Sequence, residues 1–400
     1  MSNIHHLIKV HYPQALSILV SKTRDIELAE DLLQSSIEKA LNKWPVEIPD
    51  NPLAWLIKVS INLQIDISRK NTRFQHTNDI ESIYHESDLT EDALLANYND
   101  DLLRLIFTCC HPAINQDAQI ILTLKHVLGL SVDVIANALV QKNKTIEQRL
   151  TRAKKKISQA GIPYTIPKPN QWPARVSSVL KTIYLLFNEG YFCTQGENLV
   201  NKPLCREAIR LARMMHACVK NDANVVGLLA LLLQQYARIE ARVSDNKLVL
   251  LENQDRKQWH QESIAEANIL TEKAILLGGR TSYAIQAAIA SLHNNAKDYE
   301  LTDWQQIYAL YIELIKIDAN PIIKLNASIA LAKTGKLGLA ISEAEKLAQD
   351  LSNYRHYHTA IAQLYRQNQQ STLANHHFKL ALNLSCTPHE QRFIEELLTQ

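Results

Sequence analysis

The stretch from Leu130 to Ile157, LSVDVIANALVQKNKTIEQRLTRAKKKI, decides how the chain is read. Ser131 stands where its hydroxyl can accept from the free amides of a first helical turn. Val132, Ile135, Ala136 and Leu139 come next, at the spacing that lays apolar side chains along one helix face. Gln141, Lys142 and Asn143 interrupt the pattern, with Asn143 the available cap for a second helix. Ile146, Leu150, Ala153 and Ile157 then resume it. Two short amphipathic helices across a tight polar break form the helix-turn-helix pattern, whose second helix enters the major groove of DNA.

The second helix carries matching charge. Lys144, Arg149, Arg152, Lys154, Lys155 and Lys156 are opposed only by Glu147. Cations at this density bind phosphates by releasing condensed counterions. Thr145, Gln148, Arg149 and Arg152 fall on the face away from the apolar stripe, in reach of base edges. With Lys144 and Lys155 they are the candidate DNA contacts. The plainer alternative is a solvated basic face near a helix C-terminus, where the macrodipole favours cations.

Composition sets outer bounds. A chain of 400 residues is long enough for two or three domains. Sparse Gly and Pro (9 and 12) beside abundant Ala, Leu, Ile, Lys and Gln predict a mostly helical, all-α fold. The net charge of +2 is close to neutral, so any nucleic-acid surface must arise from local segregation of charge. No window holds the roughly 20 consecutive apolar residues of a membrane span, and the N-terminus lacks a secretory h-region. A cytoplasmic protein without a membrane association is expected. The six cysteines have no framework spacing, and Cys109-Cys110-His111 lacks a CxxC partner. Buried free thiols in a reducing compartment are expected, with no metal and no cofactor.

Residues 4–44 read as two helices ending at Trp44-Pro45. In the second, Ile26, Ala29, Leu32, Leu33, Ile37, Ala40 and Leu41 form the apolar stripe, while Glu30, Asp31, Gln34 and Glu38 form an acidic patch. A third helix starts near Pro52, a residue suited to a first turn. In it Trp55, Leu56, Val59, Leu63 and Ile67 are expected to pack inward, leaving Lys58, Asn62, Asp66, Arg69, Lys70 and Arg73 as a mostly basic edge. Residues 76–101 are acidic and lack apolar period, which marks a linker. The helical pattern resumes at Leu102, and Pro163, Pro167, Pro169 and Pro173 stiffen the connector after the basic helix.

From Val176 onward the pattern is helix after helix. The segment from Ala330 to Ala344 overlays that from Gln363 to His377, with Leu331 on Leu364 and Leu339-Ala340 on Leu373-Ala374. The offset is close to the roughly 34-residue tetratricopeptide (TPR) period. Helical hairpins of this kind bury their apolar faces only by stacking into a solenoid. The segment Glu207–Tyr236 reads as a more degenerate unit.

In this order, the parts resemble a bacterial sigma-70 family factor of the extracytoplasmic-function (ECF) group. Asp31-Leu-Leu-Gln34 with Ala40-Leu-Asn-Lys-Trp44 is similar to the sigma2 helix that docks on the RNA polymerase clamp. Asn51-Pro-Leu-Ala-Trp-Leu-Ile-Lys-Val-Ser-Ile-Asn62 and Asp66-Ile-Ser-Arg69-Lys70 are similar to the segment facing the −10 element. Leu130–Lys156 is similar to sigma4, which reads the −35 element. Leu185-Leu-Phe-Asn-Glu-Gly-Tyr191, Glu207-Ala-Ile-Arg-Leu-Ala-Arg213, Leu251-Glu-Asn-Gln-Asp-Arg256 and Gln286-Ala-Ala-Ile-Ala290 resemble the long TPR-like extension of one ECF subgroup.

The resemblance implies a sigma2-like domain at 1–75, a sigma4-like domain at 102–162 and a TPR-like extension at 174–400. It also implies core RNA polymerase and promoter DNA as partners, with a protein partner for the extension. Glu30, Asp31, Gln34 and Glu38 would meet the clamp, and Lys58, Asn62, Arg69, Lys70 and Arg73 the −10 strand. Trp55 and Phe74 are the aromatics nearest that edge. Opening DNA costs a few kcal/mol per unstacked base, which cations on the separated strand offset. The two DNA-facing modules are expected to stand apart, spaced by the polymerase. A helix-turn-helix regulator that acts without polymerase, with a TPR-like sensor, is the second reading, and a scaffold with an incidental basic helix is the third. Catalysis has little support: Asn188-Glu189-Gly190 and Gln254-Asp255-Arg256 lack a nucleophile or phosphate loop nearby. Gly190 reads as a left-handed helix end and Asp255 as a helix cap or buried polar contact.

Overall fold

Side chains that accept from free amides set several of the helix starts. Asp25 caps α2 (Ile26–Lys43) through Glu27 N and Leu28 N, and Asn51 accepts from Ala54 N at the start of α3 (Pro52–Thr72). Helix α1 spans Ser2–Thr23. The computed structural model describes residues 2–72, 98–139, 141–162, 164–165, 173–192, 199–244, 247–278, 280–384 and 388–399. Among them the fold is all-α apart from one short hairpin, Val243–Ser244 paired with Lys247–Leu248. The chain divides into two units, 1–182 and 183–400. No described helix is long and apolar enough to cross a membrane.

Helices α1 to α3 pack on one another around Leu16, Leu19, Leu32, Leu33, Leu56 and Ile57. The buried face of α3 differs from its expected stripe. Leu53, Leu56, Ile57, Ser60 and Ile61 are inside, and Ile67 is 47% exposed. In α2, Ser36 is buried while Leu41 is exposed. Both serines turn their hydroxyls onto carbonyls of their own helix, Ser60 onto Leu56 O at 2.8 Å and Ser36 onto Leu33 O at 2.8 Å. A satisfied small polar residue is cheap to bury, and periodicity alone would place it outside.

The first unit continues through α4 (Tyr98–Cys109), α5 (Gln116–Leu122), a π-helical turn (Thr123–Val127), α6 (Val132–Ala138) and α7 (Asn143–Gln159). Helix α4 starts ahead of the expected linker boundary, and its Asp101 is buried and paired with Arg104 at 3.0 Å. Residues 73–97, the rest of the expected linker, lie outside the described residues. Ser131 Oγ accepts from Val134 N, as expected of a cap. Asn143 does not cap α7. It is the first residue of the helix and donates to Asp133 of α6, while Lys142 holds the cap position without a side-chain bond. Ile135, Ala136, Ile146, Leu150 and Ala153 are buried. The expected separation of the two modules is not what the structure shows. Helix α1 packs on α4 and on the π turn. The Tyr164 hydroxyl lies 2.7 Å from Asp101 O and 3.1 Å from Ser17 O, tying the segment after α7 to both.

Helix α8 (Pro173–Tyr191) runs from the first unit into the second. The second unit then holds α9 (Lys202–Cys218), α10 (Ala223–Tyr236), α11 (Gln261–Leu276), α12 (Ser282–Asn295), α13 (Trp304–Ile317) and α14 (Pro321–Lys333). After them come α15 (Leu337–Glu345), α16 (Arg355–Gln367), α17 (Ser371–Asn383) and α18 (Pro388–Thr399). Neighbours in sequence pack as neighbours in space. The pair α14–α15 and the pair α16–α17 repeat the same start-to-start spacing, and their turns carry left-handed residues at equivalent places, Gly335 at φ 87° and Gln369 at φ 59°. Gly190 is not a left-handed helix end. It lies inside α8, where an added Cβ would stand 2.9 Å from Cys205 N, so close approach to α9 explains the glycine. Asp255 caps a short 3-10 turn through Lys257 N.

Candidate nucleic-acid and polymerase interface

Helix α7 buries Ile146, Leu150 and Ala153 and packs on α5 and α6. Its other face is therefore turned outward. Lys144, Gln148, Arg152 and Lys155 are exposed, and Thr145 and Arg149 are half-buried. Arg149 Nη1 is 3.2 Å from Asp117 Oδ2, a pair open enough to water to contribute little to stability. A cleft of about 550 Å³ runs beside this face and is lined by Asp117, Arg149, Arg152 and Lys156. Lys156, absent from the sequence candidates, thereby joins the two arginines.

On α3, Lys58, Asn62 and Arg69 are exposed. The Lys70 side chain and all of Arg73 and Phe74 lie outside the described residues. Trp55 is occupied by an edge-to-face contact with buried Trp44, ring centres 5.5 Å apart, so it is held by packing rather than free to stack on a base.

The acidic patch on α2 splits in two. Asp31, Gln34 and Glu38 are exposed. Glu30, grouped with them from the sequence, is turned inward: Oε2 is 3.1 Å from Lys154 Nζ and Oε1 is 3.1 Å from Nδ1 of the buried His126. The Tyr12 hydroxyl donates to the same carboxylate at 3.4 Å. Burial raises the Glu30 carboxyl, but His126 and then Lys154 outweigh it and hold it at about 2. Its partners come from α1, the π turn and α7, too far along the chain for any local signal in the sequence.

The thiols of Cys109 and Cys110 are buried, and burial pushes both up, Cys110 to about 12. They are protonated at neutral pH and act as small packing groups. Cys218 departs from the expectation of buried thiols, being exposed. In the second unit a cavity of about 780 Å³ is lined by Tyr299, Trp304, Asn326, Lys333, Arg366 and Phe393, among others.

Residues 7–74, which hold α1 to α3 and both the acidic and the basic edge, match the model of sigma-70 region 2. The chain carries a sigma-70 region 2 domain. It is 38% identical over 390 residues to an uncharacterized protein of Rhizobium meliloti (strain 1021), covering 96% of this chain and 92% of that one, so the two belong to one family. Residues 175–275 match a family of unknown function (DUF6596), which places α9 and α10 within that family's region. No solved structure matches the chain.

Proposed function

We propose that this chain is a sigma factor of the ECF group that brings core RNA polymerase to a limited set of promoters in the cytoplasm. The observation that carries the reading is the presence of two outward-facing surfaces of opposite charge on the first unit. Asp31, Gln34 and Glu38 are exposed inside the segment matching sigma-70 region 2, and Lys144, Gln148, Arg152 and Lys155 are exposed on α7. The acidic trio is suited to the basic clamp of the polymerase, where charge complementarity sets orientation and on-rate. Lys58, Asn62 and Arg69, with Lys70 and Arg73, take the −10 strand. The face of α7, with Thr145 and Arg149 at its margins, takes the −35 duplex. The second unit is a TPR-like solenoid, supported by the repeated spacing of α14–α15 and α16–α17, and its 780 Å³ cavity is the place for a protein partner that regulates or supports activity.

Run-off transcription with core polymerase, using the full chain and its Asp31→Lys/Glu38→Lys variant, tests the reading. Promoter-dependent transcripts are expected with the unaltered chain and at least a tenfold loss with the charge reversal. A helix-turn-helix regulator that ignores polymerase would keep the DNA affinity of both forms and show no co-elution with the core enzyme.

A further inference from the structure

Resting on the reading of the second unit's cavity as the seat of a regulating partner, we propose that this cavity takes an extended acidic segment of that partner. The segment carries two carboxylates at alternate positions and one aromatic anchor. Four cations, Lys247, Lys333, Arg366 and Arg392, line the cavity against two carboxylates, Glu252 and Glu396. His293, also in the wall, adds no charge at neutral pH, because burial and then Arg238 and Arg256 hold it at about 3. The wall is therefore positive, which favours an acidic occupant.

The cations differ in how far they are engaged. Lys247 pairs with Glu396 at 2.6 Å, and Lys333 stands 3.9 Å from Glu252. Arg366 donates to Leu397 O at 2.8 Å and lies over the Phe378 ring, yet meets no carboxylate among the described residues. The overlay that sets Leu331 on Leu364 also sets Lys333 on Arg366, so a cation recurs at one position of successive hairpins. Helices α14 and α16 pack on each other. Packed helix axes stand roughly 8–10 Å apart. Alternate residues of an extended chain share a side at roughly 7 Å, and the long Lys and Arg stems span the difference.

Side-chain amides suit the backbone of such a segment. Asn326 of α14 and Gln363 and Gln367 of α16 line the same cavity, and none of these amides has a partner among the described residues. Each offers a donor and an acceptor, the complement of a peptide unit. An extended chain has those groups free, whereas a helix has already paired them. Half-buried Trp304 and Phe393 supply apolar surface for the anchor, and Trp304 is set edge-on to Tyr299 at 5.3 Å. A nucleic acid fits less well, because Glu252 and Glu396 in the wall repel phosphates.

Fluorescence anisotropy with the full chain tests the site. The probes are labelled decapeptides of Gly and Ser, acetylated and amidated at their ends, with one Phe and two Glu at alternate positions. In matched controls Lys replaces Glu or Ser replaces Phe, and an oligodeoxythymidine of the same length stands for nucleic acid. The acidic peptide is expected to bind at least about tenfold more tightly than any control. Lys333→Gln is expected to cut its preference over the Lys peptide by about threefold. Gln363→Ala is expected to weaken all the peptides alike. Both side chains lie outside the buried core. Equal binding of the acidic and Lys peptides, preference for the oligonucleotide, unaltered binding in both variants, or no binding of any probe overturns the acidic-segment site. Run-off transcription by the same preparation, with and without the acidic peptide, tests the sigma-factor reading separately. Transcripts without peptide binding leave that reading standing, and peptide binding with transcripts in neither condition overturns that reading alone.

Discussion

Replacing Glu30 by glutamine keeps the shape of the side chain and removes its charge, leaving Lys154 and His126 without their acidic partner. The Glu30 carboxyl sits at about 2 against an ordinary 4.5. At about 1.36 kcal/mol per pH unit this gap corresponds to about 3 kcal/mol at neutral pH, an upper value because the side chain retains some contact with water. The carboxyl is depressed, so its contribution is complete well above pH 4.5 and is lost as pH falls from there toward 2. By about pH 3.5 roughly 1.4 kcal/mol of it is gone, and Glu30→Gln, which has no such proton to bind, does not lose it. Hydrogen exchange read by mass spectrometry on peptides from α2 and α7, along a urea series of the full chain, isolates the first unit from the second. The variant is expected to lower the opening free energy of both helices by about 2–3 kcal/mol at neutral pH, with the difference shrinking by about 1.4 kcal/mol at about pH 3.5. A difference under about 0.5 kcal/mol at neutral pH, or one that stays constant with pH, refutes the ion-pair account.

On α7, Arg152→Ala is expected to weaken binding to any duplex and to lower the slope of log affinity against log salt by about one, measured by fluorescence anisotropy over a salt series. Asp117→Asn acts in the opposite sense. It releases Arg149 from its 3.2 Å pair, and duplex affinity should rise a few-fold at low salt; an unchanged value would show that Arg149 never reaches a phosphate. In the second unit, Gly227→Ala places a Cβ about 2.7 Å from Ala284 N, a backbone atom on the neighbouring α12. The helices must move apart at a cost of about 1–3 kcal/mol, visible as a lowered thermal midpoint of that unit.

Much of the candidate site lay in local spacing. The two stripes at Ile135 and Ile146, the cap at Ser131 and the outward face bearing Gln148 and Arg152 all arise from helical period, because an amphipathic helix must bury its apolar side whatever covers it. The exposure of Asp31, Gln34 and Glu38 arises in the same way. Period failed where burial depends on the partner. Ser36 and Ser60 are inside because their hydroxyls close on carbonyls of their own helices, and Trp55 is taken by Trp44. Gly190 marks a close helix approach rather than a turn.

Sequence by itself determined the helices, the faces of α6 and α7 and the segregation of acid on α2 from base on α7. Tertiary structure alone decided that Glu30, one position from Asp31, belongs to a different surface. An isolated carboxylate next to an apolar stripe has no preference written into its neighbours. It turns inward only because folding brings His126 and Lys154 within 3.1 Å, where the hydrogen bond from one and the charge of the other outweigh the cost of taking it out of water.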